Sequence, residues 1–175
     1  SVNIPDSVTT IEYATFAYCR SLTSVNIPDS VTEIGGYAFY ECTSLTSVYC
    51  KATTPPALSV YVFDNNGSGR KIYVPAGSVE AYKSAEYWNE YASAIVGYDF
   101  ENGEIVEVQP NNEIWYTSSD GNVVTPYYTN VFGAEIISNT YNNGKGVITF
   151  DGDVRWIGEW AFYSCSSLTS VNIPD

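Results

Sequence analysis

The hexapeptide SVNIPD occurs three times, at residues 1–6, 24–29 and 170–175. The first two copies start at Ser1 and Ser24, and one equal step further on, Ser47 opens a degraded copy, SVYC. The same interval counted back from Ser170 reaches Val147, so residues 1–23, 24–46 and 147–169 align without gaps. The columns that stay apolar are Val2/Val25/Ile148, Ile4/Ile27/Phe150, Val8/Val31/Val154, Ile11/Ile34/Ile157, Phe16/Phe39/Phe162 and Leu22/Leu45/Leu168. About six such side chains per repeat contribute roughly 1.5–3 kcal/mol each when fully buried. Ordering the backbone costs roughly 1–2 kcal/mol per residue. One repeat therefore cannot fold alone, whereas stacked repeats share a core and pair their strands.

The spacing within a repeat has a mechanical meaning. Across each boundary the apolar residues fall as Leu22, Val25, Ile27 and again as Leu45, Val48, Cys50. The first closes a turn, and the next two point inward from a short strand, because side chains alternate along a strand. Ile-Pro-Asp ends the strand, since proline has no N–H for the ladder. Cys19 through Phe39 reads C-x-S-L-T-S-V-x-I-P-x-S-V-T-x-I-G-x-x-A-F, and its first part recurs from Cys42 and from Cys165. This pattern resembles the BspA-like, or treponemal-type, leucine-rich repeats of bacterial surface proteins. One departure is Thr15, where Ala38 and Ala161 occupy the same column. The resemblance implies a leucine-rich repeat solenoid, mostly β with short helical turns. It also implies a non-catalytic, secreted or cell-surface protein that works in adhesion or protein recognition.

Between the repeats the pattern decays. Pro55-Pro56 and Asp64-Asn-Asn-Gly-Ser-Gly read as loops, and Ile72 and Val74 restore the inward pair of a strand. Residues 1–75 thus read as the end of one array. Ser78 reads as an N-cap with Glu80 in the first turn. Trp88, Tyr91, Ala92 and Ile95 recur at helical spacing, which makes 76–100 a capping helix and tail. Residues 101–112 carry acidic side chains with no basic ones and read as a linker or solvated edge. Residues 113–146 read as a β-hairpin cap. In it, Glu113, Ile114, Trp115 and Tyr116 pair with 123–128 about a turn at Asp120-Gly121, and 134–140 pairs with 146–150. Residues 147–175 then start a second array. The expected architecture is two partial arrays joined by a helical cap and a β-hairpin cap. Without a Met at its start, the chain reads as a piece of something longer.

Chemistry is scarce in these residues. The chain has no His, and its formal charge is −13. That acidity argues against nucleic acid or an anionic membrane as partner, and no apolar run is long enough to span a bilayer. No Ser-His or Cys-His pair exists to make a nucleophile. The neighbouring carboxylates Asp151/Asp153 and Glu101/Glu104 read as solvated surface rather than a glycosidase pair. Cys19, Cys42 and Cys165 share a column, and Cys50 stands in an inward column. They read as buried thiols, with a Cys19–Cys42 disulfide as the alternative. No cofactor is expected apart from calcium, for which Asp64, Asn65 and Asn66 form an oxygen-rich loop lacking the carboxylate pattern of an EF-hand.

Aromatics are the conspicuous surface resource, with 16 Tyr, 7 Phe and 4 Trp. The outward strand positions Ser24/Asn26, Ser47/Tyr49 and Lys71/Tyr73 form a nearly uncharged ladder interleaved with tyrosine. Tyr37 shares a column with Trp160, and Tyr40 one with Tyr163. Tyrosine offers large contact area at small entropy cost. Asn26, Tyr49, Tyr73, Tyr37 and Tyr40 are therefore the candidate binding residues for a protein or glycan ligand. Plain surface cover is the competing reading. A structural spacer that stacks head-to-tail into longer solenoids is the alternative function, because the last six residues repeat the first six.

Overall fold

The computed structural model describes residues 1–174. Its strands are β1 (Val2–Asn3), β2 (Thr10–Ile11), β3 (Ser24–Ile27), β4 (Glu33–Ile34), β5 (Ser47–Cys50), β6 (Ala57–Leu58), β7 (Lys71–Pro75), β8 (Ile95–Asp99), β9 (Glu104–Val106), β10 (Glu113–Ser118), β11 (Ile136–Asn142), β12 (Lys145–Phe150) and β13 (Leu168–Asn172). One α-helix, α1 (Val79–Ser84), lies between β7 and β8. The chain divides into two compact units, Ser1–Val108 and a second that begins at Gln109.

In the first unit each repeat is a three-sided rung. The first side is the parallel sheet β1-β3-β5-β7-β8, with β9 antiparallel at its edge. Its register advances one repeat at a time: Val2 opposes Val25, Val25 opposes Val48, Val48 opposes Ile72 and Ile72 opposes Ile95. The second side is the short parallel sheet β2-β4-β6, where Ile11, Ile34 and Leu58 align. Cys50 still pairs one regular step along the chain from Ile27, but Ala57 lies one position beyond that step from Glu33. The extra residue of the enlarged rung therefore sits in the corner that holds Pro55-Pro56.

The third side is built from turns. Within a rung they close on themselves, as in Tyr40 N–H to the Tyr37 carbonyl at 3.0 Å and Leu45 N–H to the Cys42 carbonyl at 2.8 Å. Between rungs they form a further ladder, with Phe16 N–H donating to the Ala38 carbonyl at 2.8 Å and Phe39 N–H to the Val62 carbonyl at 3.0 Å. Two corners per rung are left-handed: Ala14, Tyr37 and Tyr61 take one, and Tyr18, Glu41 and Asn65 the other, with φ from 53° to 62°. Gly35 permits the close approach of rungs here, since a Cβ would stand 2.7 Å from the Tyr13 nitrogen.

Three ladders fix the interior. Val25, Ile27, Ile34, Phe39, Leu45 and Val48 are fully buried. Phe16, Phe39 and Phe63 stack with ring centroids 5.2 and 5.5 Å apart and planes 9° from parallel. Trp88 and Tyr91 end that stack against Phe63. Both are buried, as their spacing predicts, but they lie in a 3₁₀ segment, Trp88–Ala94, and Ile95 opens β8 instead of continuing a helix. The polar tips of the buried aromatics are satisfied: Trp88 Nε1 donates to the Pro56 carbonyl at 2.8 Å, and Tyr82 Oη to the Ala52 carbonyl at 2.8 Å. Ser78 stands at the N-cap of α1 but makes no capping bond with its side chain. A preceding 3₁₀ turn holds its backbone at helical angles, whereas an N-cap hydroxyl needs an extended one. Part of the acidic stretch 101–112 forms β9, a short edge strand of exposed Glu104, Ile105 and Val106.

The second unit departs from the expected hairpin pair. β11 and β12 form the predicted hairpin. β10 does not pair with 123–128, which forms no strand. Pro126 lacks an N–H, and the Val124 N–H is taken by Tyr116 Oη at 3.2 Å. Instead β10 lies between β12 and β13, antiparallel to both. The two repeat strands Val147–Phe150 and Ser170–Asn172 are therefore not direct neighbours, as β3 and β5 are. The alternation of β10 explains the placement: it buries Ile114 and Tyr116 while its backbone bonds both flanking strands. Gly146 makes room, because a Cβ there would lie 2.1 Å from the Tyr116 ring. The third side survives, with Trp160 and Ser164 at the left-handed corners and Tyr127 N–H bonded to the Ala161 carbonyl at 2.8 Å.

The four cysteines are free. Cys42 and Cys50 are buried, Cys165 is partly covered, and Cys19 is exposed. Cys19 departs from the buried column because rung 24–46 covers it from one side only in the described chain. Among the described residues, no helix is long and apolar enough to cross a membrane.

Candidate functional site

Strand alternation turns Val25, Ile27, Val48, Ile72 and Val74 inward and leaves outward the row Asn3, Asn26, Tyr49, Tyr73, Val96, flanked by Ser24, Ser47 and Lys71 on one side and by Pro75 and Tyr98 on the other. The Asn26 side-chain amide donates to the Asn3 side-chain oxygen, which starts the row as an amide ladder. Tyr49 and Tyr73 stack at 4.6 Å and 13°. Tyr98 sets its ring at 5.4 and 5.2 Å from them, nearly edge-on, and Phe100 packs on Tyr98 at 5.1 Å. Partial burial, with Tyr49, Tyr73 and Asp99 close by, holds the Tyr98 phenol above its ordinary pKa. Asp99 accepts from the Glu101 and Asn102 N–H groups and the Asn102 amide, which keeps its own carboxyl below the usual range.

Tyr98 and Phe100 are absent from the residues read off the sequence. The signal was present: Ile95 follows Ile72 by the regular repeat step, so Val96 falls in the Tyr73 column and Tyr98 in that of Pro75. Helical spacing around Trp88 obscured that extra rung.

Tyr37 and Tyr40 are not part of this face. They lie on the third side, with Tyr13, Tyr18 and Tyr61. Tyr37 meets Tyr13 at 5.6 Å, Tyr61 at 5.3 Å and Tyr40 at 5.2 Å, and Tyr40 meets Tyr18 at 5.7 Å. Tyr13, Tyr18 and Tyr61 are exposed. Tyr18, Tyr37 and Tyr61 occupy left-handed corners, which cost an ordinary residue roughly 1–2 kcal/mol each. Glycine or asparagine would fill them at lower cost, as Asn65 does, yet tyrosine holds three of the six corners. The second unit repeats the habit: Trp160 meets Tyr163 at 4.6 Å, and Tyr163 meets Tyr127 at 5.5 Å.

The oxygen-rich loop is knitted into the framework. The Asp64 carboxylate accepts from Tyr91 Oη at 2.7 Å, and burial together with that bond raises the Tyr91 phenol. Asn65 donates to Glu41 at 3.2 Å, and Asn66 donates to the Phe39 carbonyl at 2.7 Å. The Arg70 guanidinium sits over the Tyr91 ring at 5.0 Å and donates to the Phe63 carbonyl and to Asn66. A cation thus already stands against these oxygens. Among the described residues, no group of three or more His, Cys, Asp or Glu side chains is arranged to hold a metal ion. Glu101, Glu104, Asp151 and Asp153 are exposed.

A family model described as "BspA type Leucine rich repeat region" matches the chain in six copies, over residues 1–109 and 122–175. A search of curated proteins finds no match.

Proposed function

Because the chain belongs to the BspA-type leucine-rich repeat family, we propose that it is a non-catalytic, extracellular binding module of a bacterial surface protein, with the strand-ladder face as its ligand site. The observation that carries this reading is the Tyr49–Tyr73–Tyr98 cluster, seated on a rigid parallel sheet beside the Asn3–Asn26 amides. Rings fixed by their neighbours lose little entropy when a partner covers them. Stacked Tyr49 and Tyr73 turn their edges and hydroxyls to solvent, which suits the carbonyls of a folded protein partner better than the flat face of a sugar. Helix α1 and the 3₁₀ segment cover the rung that holds Phe63, where Trp88 and Tyr91 end the phenylalanine stack.

The test is binding of the chain to immobilised extracellular-matrix proteins and to a panel of neutral oligosaccharides, compared with Tyr49→Ser/Tyr73→Ser. Loss of a protein signal in the double variant supports the reading. A signal that survives unchanged in a folded double variant overturns the site.

A second reading is favoured by one observation. β1 already pairs in register with β3 through the same Val-Asn that β13 carries. A head-to-tail stack of copies would repeat that pairing between molecules. Sedimentation over a concentration series tests it, and a strict monomer at the highest concentration refutes it.

A further inference from the structure

The five-tyrosine ridge on the third side of the first unit is separate from the ladder face, and we infer that it is a docking site for a cationic, proline-rich peptide segment in polyproline II conformation. Three properties of the ridge lead to that partner, and none of them depends on the ladder face binding anything.

The first is its relief. Tyr13, Tyr37 and Tyr61 run across three rungs with their planes tilted 59° and 48° to one another, and Tyr40 stands 70° from Tyr37. Such rings make ridges and grooves rather than a flat platform. A pyranose needs a flat ring face, whereas prolines and the stems of long side chains fill grooves between rings. The second is its repeat. Rungs lie about 4.8 Å apart, so Tyr13 and Tyr61 stand about two rungs, near 10 Å, from each other. A polyproline II helix rises about 3.1 Å per residue with three residues per turn. One turn of a peptide lying along the ridge, about 9 Å, therefore spans it, and residues three apart meet Tyr13 and Tyr61.

The third property is charge. Glu12 adjoins Tyr13 and Glu41 adjoins Tyr40, within a chain of net charge −13. Arg20, a base on these turns, lies over the Tyr18 ring at 6.0 Å. That contact is an internal example of the cation–ring pairing the ridge would offer to a partner's arginines. Acidic flanks also speed the encounter with a basic segment and repel an acidic one.

The experiment titrates the whole chain with a synthetic peptide of Pro-Pro-Arg triplets, followed by amide chemical shifts. Comparison peptides replace Arg by Glu, or Pro by Gly and Ser, and a neutral hexose oligosaccharide is the fourth probe. The Pro-Pro-Arg peptide is expected to bind, to weaken steeply between about 50 and about 500 mM salt, and to shift the amides of the third side. Tyr13→Ser/Tyr61→Asn should weaken it about tenfold or more, while Tyr49→Ser/Tyr73→Ser should leave it unchanged. Asparagine tolerates the left-handed corner at position 61, and Tyr61→Asn alone provides a milder variant should the pair disturb folding. Equal binding of the Gly-Ser-Arg or the Glu peptide, indifference to the ridge substitutions, or ridge-dependent binding of the oligosaccharide in place of the peptide would each overturn the inference.

Discussion

Phe39→Ala tests the stacked-rung core most directly. The Phe39 ring is fully buried, and Phe16 and Phe63 lie parallel to it on either side at 5.2 and 5.5 Å. Truncating a core phenylalanine costs about 3–5 kcal/mol, and the cost is greatest where the surroundings cannot close over the gap. Here the backbone of rung 24–46 is pinned from both sides, by Phe16 N–H on the Ala38 carbonyl and by Phe39 N–H on the Val62 carbonyl. The cavity stays open, so a loss of about 4 kcal/mol is expected. Phe16 has a ring neighbour on one side only and is partly exposed, so Phe16→Ala should cost about 1–2 kcal/mol. Urea unfolding followed by aromatic fluorescence measures both. Trp88, which packs on Phe63 at the end of the stack, is the only tryptophan of the first unit. Equal losses for the two variants, or a loss below about 1 kcal/mol for Phe39→Ala, would refute the idea of a continuous ring stack in a rigid coil.

Three further outcomes follow from other contacts. Gly35→Ala should lose about 1–3 kcal/mol, because its Cβ would meet the backbone of Tyr13 and Glu12 at 2.7 and 2.9 Å; Gly77→Ala, with nothing within 4 Å, is the silent control in thermal melts. Burial pushes the Cys50 thiol up to about 11, so the folded chain keeps a proton that the unfolded chain releases. The stability from Cys50 is full below the ordinary thiol range near 9 and is lost as pH rises toward about 11, so the stability gap between wild type and Cys50→Ala should narrow from pH 8 to pH 10 in urea titrations. A thiol reagent applied to the native chain should modify Cys19 first and Cys165 next, with Cys42 and Cys50 reacting only on unfolding; rapid loss of all four thiols would contradict the described burial.

The first-unit rungs were legible because their information is columnar. Val25 and Val48, or Ile34 and Phe39, repeat at a constant step, and the step itself dictates stacking. What the period cannot carry is a strand from outside it. β10 inserts between β12 and β13 through its own alternation of Ile114 and Tyr116 and through the space left by Gly146, and neither has a counterpart in the other repeats. β8 was hidden for a different reason: Trp88, Tyr91 and Ile95 satisfy helical spacing, but Trp88 and Tyr91 are placed by the Phe63 ring, and Ile95 by Ile72 across the sheet. The candidate residues divide in the same way. Asn26, Tyr49 and Tyr73 share a face because strand alternation is a local rule. Tyr37 and Tyr40 belong elsewhere because Tyr37 itself sits at a left-handed corner of the third side, which no alternation rule describes.

The corner that holds Pro55-Pro56 absorbs one residue more than its counterparts while the sheets on either side keep their pairing. Length is thus decoupled from architecture at that bend. Within that bend the exposed Thr53-Thr54 is the place to splice in a tag or a foreign loop, because Tyr82 and Trp88 hold the Ala52 and Pro56 carbonyls on either side of it.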